Sequence, residues 1–166
     1  MPSKVSPKVA IGGSLAGASA IALVMAVTTL KPDEGKRNVD YLDIVKVPTA
    51  CYGHTGPDVR VGRRRSDAEC EALLTQDAQI HMAGVLRCTP VLANRPHQLA
   101  AATRITFNIG VGGYCRSTMA RRFNAGQWRA GCDAFLAWNK AGGRVVRGLV
   151  MRRQRERAMC LAGVAA

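Results

Sequence analysis

Residues 33–56 read DEGKRNVDYLDIVKVPTACYGHTG. The stretch opens on a charged pair, Asp33 and Glu34, and closes on a turn bounded by Gly53 and Gly56. Between them, β-branched residues broken by Pro48 have the composition of short strands joined by turns. Three polar groups recur in the order Glu34, eight residues, Asp43, five residues, Thr49. A helix ending at Glu34, with a hairpin folding Asp43 and Thr49 back over it, would bring the three into one cleft. Spacing alone does not separate that arrangement from a solvated turn.

On the N-terminal side lies an uncharged run, VAIGGSLAGASAIALVMAVTTL, at residues 9–30, preceded by Lys4 and Lys8. At a rise of about 1.5 Å per residue it is long enough to cross a bilayer core as a helix. The flanking lysines would hold the N-terminus in the cytoplasm and place the remainder outside. The run is weakly apolar: 9 of its residues are Val, Ile, Leu or Met, and the other 13 are Ala, Gly, Ser or Thr. Such a segment can be inserted yet hold to lipid poorly. A cleaved signal peptide, with ASA at 18–20 as its cleavage site, is one rival reading. A permanent anchor and a buried core helix are others.

The chain has 166 residues, enough for one globular domain plus a terminal segment. Its 24 Lys and Arg against 11 Asp and Glu leave +13, which calls for a polyanionic partner: nucleic acid, anionic lipid or a cell-wall polymer. Six cysteines, Cys51, Cys70, Cys88, Cys115, Cys132 and Cys160, all follow the apolar run. None has the spacing of a zinc site, so no metal is expected. With export implied by the apolar run, disulfides are preferred over buried thiols, their pairing not being readable from sequence.

Downstream, Ser66 and Glu69 form a capping-box signature ahead of a helix with Leu73, Leu74, Ile80 and Val85 as its apolar positions. HQLAAATRITFNIG, residues 97–110, reads as the central buried helix, stopping near Gly110. Two shorter helices follow, then a turn at 141–143 and a basic amphipathic helix from about Arg144. RVGRRR at 60–65 reads as an exposed loop. Strands near the N-terminus followed by helices make an α+β pattern. Gly110, Gly112 and Gly113 are no phosphate loop, since no strand precedes them and no Lys-Ser follows.

The polar triad suits hydrolysis of a glycosidic bond. That reaction needs a protonated acid on the leaving oxygen and a second carboxylate that orients water or attacks. A carboxyl at the end of an apolar helix is partly desolvated, which favours its protonated form. An aspartate on a polar strand stays ionised, and a nearby threonine hydroxyl can hold water. His54 reads either as a base or as a structural residue, and the structural role is preferred because the two carboxylates already fill both roles. Arg144, Arg147, Arg152 and Arg153 are placed either near Glu34 and a glycan or, for most of them, on a solvated basic face.

The motif DEG...D.....T..YGHTG, with TFNIGVGGYCRSTMARRFNAGQW and GLVMRRQRERAMCL, resembles the T-even-type phage lysozymes, glycoside hydrolase family 24, over residues 31–161. The resemblance implies a lysozyme-like fold with a small N-terminal β-hairpin lobe and a larger helical lobe. It implies a muramidase that cuts the β-1,4 bond between N-acetylmuramic acid and N-acetylglucosamine, without metal or cofactor. Glu34 would be the general acid, Asp43 the support for attacking water and Thr49 the third member. His54 would pair with Asp77 on the long helix, and Asn108 would be a cleft residue, with a core or cap role as the alternative. The weak apolar run ahead of this domain is similar to that of signal-anchor-release endolysins. It implies two parts, an export and tethering segment at 1–30 and a lysozyme domain at 31–166.

In that reading the secretion machinery places the domain on the periplasmic face of the host inner membrane. Loss of membrane potential then releases it, the helix forms, and the triad assembles. Residues 9–30 hold no cysteine, which disfavours thiol gating there. A disulfide at Cys51 would stiffen the active-site turn, and Cys115–Cys132 is the expected pair across a short helical hairpin. Peptidoglycan is the expected partner, nucleic acid is not, and a monomer is expected. Rival functions are a basic peptidoglycan- or membrane-binding protein without activity and a lytic transglycosylase, which would need Glu34 alone.

Overall fold

A computed structural model describes residues 17–164. Helix α1 spans Gly17–Glu34. A hairpin follows, β1 at Arg37–Leu42 and β2 at Pro48–Cys51, antiparallel with Tyr41 opposite Thr49 and Leu42 opposite Pro48. The helical lobe comprises α2 at Asp67–Cys88, α3 at Pro96–Cys115, α4 at Thr118–Asn124 and α5 at Trp128–Asp133. A two-residue strand pair, β3 at Lys140–Ala141 and β4 at Arg144–Val145, leads into α6 at Arg147–Ala162. The result is the expected α+β lysozyme-like arrangement of a hairpin lobe and a larger helical lobe. The second strand pair departs from the reading that strands lie only near the N-terminus: Gly142 (φ 55°) and Gly143 (φ 77°) make its turn, a geometry that glycine enters without cost.

Helix α1 binds the two lobes together. Ser19, Ala22, Ala26 and Leu30 are buried at a spacing of three to four residues, one face of a helix. Ala22 and Ala26 enter the main core with Leu99, Ile105, Phe123 and Phe135. Leu30 enters the smaller core beneath the hairpin with Ala50, Tyr52, Val59 and Leu74. The small side chains let α1 lie close to α3, and burying Leu30 contributes about 1.5–3 kcal/mol. The helix thus runs without a break from the described part of the apolar run into the site. Residues 9–16 of that run lie outside the described residues. Among the described residues no helix is long and apolar enough to cross a membrane. Gly35, at φ 68°, ends α1 in the left-handed conformation typical of a helix stop.

Helix α2 starts at the expected capping box, the Ser66 hydroxyl accepting from the Glu69 N–H while the Glu69 carboxylate accepts from the Ser66 N–H. Its buried stripe is Cys70, Leu74, Ala78, Met82 and Val85. Ile80, read as part of that stripe, is exposed, since it falls between two buried turns and faces the opening between the lobes. Helix α3 is buried throughout Leu99–Thr106, as expected of a central helix, but it continues past Gly110. Gly110 breaks the helical path (φ 72°, ψ 159°) and the chain resumes a helix to Cys115.

The loop at 60–65 is not wholly exposed. Arg65 is buried, and its guanidinium makes two hydrogen bonds to Asp40, at 2.8 and 3.0 Å, and reaches Asp58 at 3.2 Å. An internal anion draws this one arginine of the run inward, because a buried charge must be paired. The cysteines form Cys51–Cys70, Cys88–Cys115 and Cys132–Cys160. The expected Cys115–Cys132 pair is therefore wrong. Cys115 closes α3 beside the end of α2, whereas Cys132, on α5, meets Cys160 of α6.

Candidate active site

Glu34 is the last residue of α1, and its position is set by arginines from elsewhere in the chain. Arg152 Nη2 of α6 donates to Glu34 Oε1 at 2.5 Å. The adjacent Asp33 accepts from Arg104 of α3 and from Arg155 Nη2 at 2.7 Å, with Arg152 Nε 3.8 Å away. Burial works to raise the Asp33 carboxyl, but Arg104, then Arg152 and Arg155, outweigh it and hold it below the usual carboxylate range. The final turn of α1 is therefore clamped to two helices of the other lobe by charge. Behind it lies a fully buried ion pair, Arg153 Nη2 donating to Glu156 Oε1 at 2.9 Å. Arg153 Nη1 also donates to Asn108 Oδ1 at 3.0 Å. Burial pushes the Glu156 carboxyl up while Arg153, Arg104 and Arg152 pull it down.

Glu34 opens into a cleft of about 330 Å³ between the lobes. Tyr52, Gly53 and Thr55 from the end of the hairpin form one wall, and Asp77, Ile80, His81 and Phe107 from α2 and α3 form the other. Polar groups predominate in this lining, Glu34, Thr55, Asp77 and His81, with Ile80, Phe107 and the Tyr52 ring as its apolar surface, a mixture that suits a polar ligand.

Asp43 and Thr49 sit on the hairpin and do not line that cleft. Asp43 opens the turn between the strands, where its Oδ1 accepts from the N–H groups of Val45 (2.9 Å) and Val47 (2.8 Å). This explains its place in the sequence, since an aspartate that binds its own following backbone stabilises such a turn. Among the described residues its Oδ2 has no hydrogen-bond partner, so one oxygen remains for chemistry. Thr49 is buried on β2 and its hydroxyl donates to the Val47 carbonyl at 2.9 Å, leaving the oxygen's lone pairs to accept. Among the described residues no hydrogen bond joins Glu34 to either of them.

His54 is buried beside the cleft. Its Nδ1 lies 2.9 Å from Asp77 Oδ2 and its Nε2 lies 3.1 Å from Asp58 Oδ1, so both nitrogens are occupied by carboxylates. Burial pulls the imidazole down, but Asp58 and Asp77 overcome this and raise it above its ordinary value. With no free nitrogen, His54 braces the turn against α2. Asn108 is engaged by Arg153 and does not line the cleft. Of the four arginines weighed on sequence, Arg144 and Arg147 are exposed. Arg152 binds Glu34, and Arg153 is fully buried. The solvated-face reading fails for these last two, because buried carboxylates on α1 and α6 draw them in.

Sequence reasoning missed Asp33, Arg104 and His81. The first two had a legible sign: a single charge, Arg104, in an otherwise apolar helical stretch needs a buried anion. His81 stands four residues after Asp77 on α2, on the same helix face. Among the described residues no group of three or more His, Cys, Asp or Glu could hold a metal ion.

Residues 31–156 match the phage lysozyme family. The chain is 39% identical over 159 residues to the SAR-endolysin of Enterobacteria phage P21, covering 93% of this chain and 92% of that one. It is 40% identical over 119 residues to the SAR-endolysin of Escherichia phage Mu, covering 72% and 68% of the two chains. Among solved structures, a P22 lysozyme mutant superimposes with a TM-score of 0.72 at 34% identity, over 82% of this chain and 94% of that one.

Proposed function

The chain belongs to the phage lysozyme family, and from that premise we propose how its residues cut peptidoglycan and how the cutting is restrained. The activity is that of an endolysin, a muramidase whose substrate is peptidoglycan and whose effect is host lysis. The observation that carries the assignment of roles is Glu34: it ends α1, opens into the interlobe cleft and is held in place by Arg152.

Glu34 acts as the general acid. Arg152 occupies Oε1, which leaves Oε2 as the oxygen that faces the leaving glycosidic oxygen, its direction fixed by the clamp. Asp43 supports the water: its Oδ1 is spent on the turn, which points the free oxygen. Thr49, its hydroxyl hydrogen committed to Val47, accepts from the same water. For the three to act together, a bound glycan must reach from Glu34 at the end of α1 to the hairpin that carries Asp43 at its turn and Thr49 on β2.

Residues 9–30 serve as the export and tethering segment of a protein that works in the periplasm, and residues 31–166 as the lysozyme domain. The support is the burial of Ala22, Ala26 and Leu30. While these residues are in a bilayer they cannot fill the two cores, and Glu34, four residues past Leu30, cannot reach Arg152. Tethering thus withholds both packing and acid, and release restores both. The domain acts as a monomer.

The test is digestion of purified peptidoglycan with product analysis by mass spectrometry. Hydrated disaccharide muropeptides with reducing N-acetylmuramic acid ends are expected. Anhydro-sugar ends would assign the residues to a transglycosylase instead, and no soluble product would leave only a binding protein.

A further inference from the structure

His81 makes no contact with the ion network around Glu34, yet it lines the same cleft. Its hydrogen bonds fix its tautomer. The Thr106 hydroxyl donates its one hydrogen to the backbone carbonyl of Thr103, at 2.5 Å. The His81 Nδ1 lies 2.8 Å from that same hydroxyl oxygen. An oxygen whose hydrogen is already committed can only accept, so Nδ1 must carry the hydrogen and donate. Nε2 is then left with a lone pair. Among the described residues Nε2 has no protein partner and is not among the unpartnered atoms sealed from solvent, so it opens to the cleft. The ring is stacked on Phe107 with centroids 4.3 Å apart, which holds its plane, while the Thr106 contact holds Nδ1 on the side away from the cleft opening of Nε2.

Resting on the muramidase reading, we infer that His81 is a substrate-binding residue whose Nε2 accepts a hydrogen bond from the acetamido N–H of a peptidoglycan sugar, with Phe107 and Ile80 receiving the acetamido methyl. An acceptor beside apolar surface matches that group, which carries an N–H donor and a methyl on the two sides of one carbonyl carbon. The ring binds the sugar in its neutral form, since burial favours the uncharged imidazole against the weaker pull of Asp77. The titratable groups around it are Glu34 from α1, Tyr52 from the end of the hairpin and Asp77 from its own helix, while α3 presents only Thr106 and Phe107. His81 takes no part in proton transfer and does not touch the reacting oxygen; it fixes where the sugar sits.

The experiment has two arms on the full chain. In the first, long-range nitrogen–proton NMR of the wild type reads the His81 tautomer and its response to the N-acetylglucosamine trimer or to the de-N-acetylated trimer. The Nδ1–H form is expected, with its Nε2 resonance moved by the acetylated trimer alone. An Nε2–H form, no shift, or equal shifts with both trimers would overturn the inference. In the second arm, kinetics on soluble peptidoglycan strands compare His81→Leu with His81→Gln, which returns an acceptor near the Nε2 position. His81→Leu should lower kcat/KM by about tenfold through KM, the loss of one net hydrogen bond, and His81→Gln should recover to within about threefold of wild type. An unchanged KM in His81→Leu, or equal impairment of both variants, would contradict it. If the wild type itself releases no reducing ends, the muramidase reading fails, while the tautomer and trimer responses still decide whether His81 binds an acetamido group. That arm also needs no variant to fold.

Discussion

Arg152 and Glu34 stand 118 residues apart in sequence and 2.5 Å apart in space, the arginine on the last helix holding the carboxylate that ends the first. The contact exists only when α1 is docked, and it couples the packing of a weakly apolar helix to the placement of an acid. Arg152 also lies 3.8 Å from Asp33 and 3.4 Å from Glu156, so a single guanidinium spans three carboxylates.

Replacing Arg152 by Ala should therefore lower kcat on peptidoglycan by about 10- to 100-fold, the range for losing a charge-assisted hydrogen bond of about 1.5–3 kcal/mol. Arg152→Lys keeps the charge and loses the fork that reaches several carboxylates at once, and should fall between. Equal activity in all three proteins, at matched folded fraction, would remove Arg152 from the positioning of Glu34.

Asp43→Asn separates the two jobs of that residue. The amide oxygen still accepts from Val45 and Val47, so the hairpin and the melting temperature should be preserved. Activity should fall by about a hundredfold or more, because the free carboxylate oxygen is gone. Near-wild-type cutting would mean that Glu34 works without it.

The His54 cluster carries a pH signature. The folded imidazole titrates above its unfolded value of about 6.5. Its contribution is therefore complete below that value and is lost as pH rises through the folded value. The Asp58 carboxyl, held low by the His54 hydrogen bond first and by Arg65 last, gives its share above the ordinary carboxylate value and loses it only in acid. His54→Asn should cost about 1–3 kcal/mol near pH 5 and clearly less near pH 9. Urea denaturation at both pH values reads this, and an equal cost at both would contradict the charged pairing.

Ala26 tests the restraint. It is fully buried against the main core in the docked helix. Ala26→Leu should overpack that contact by about 1–3 kcal/mol while making the segment more apolar in lipid. Both effects favour the tethered form. Membrane fractionation during expression should show more pelleted protein and slower lysis than wild type. Unchanged partition and timing would detach the packing of α1 from release.

The local architecture is legible in residues 33–56: the structure ends α1 at Glu34 and follows it with the expected hairpin. Glu34, Asp43 and Thr49 and the hairpin between them are all local. Pro48 and Gly53 mark their turns in the sequence, whereas Asp43, read as a strand residue, lies just past β1 and binds the turn backbone. What escaped is what depends on distant partners. Arg65 looks like one of several loop arginines until Asp40 is seen beneath it. Cys115 and Cys132 are close in sequence but belong to different helix pairs. His81 acquires its meaning only from Thr106, 25 residues on, and from the cleft between the two lobes. Ile80 fits an apolar stripe by period and is exposed because an open cleft, unlike a core, leaves an apolar side chain facing solvent.

The most direct measurement is the loss of turbidity of outer-membrane-permeabilised Gram-negative cells on adding wild type or Glu34→Gln. The account predicts rapid clearing by the wild type and none above background by the variant, with both proteins folded. Equal clearing by both would mean that a chain of net charge +13 disrupts envelopes by charge alone, and Glu34 would not be the acid.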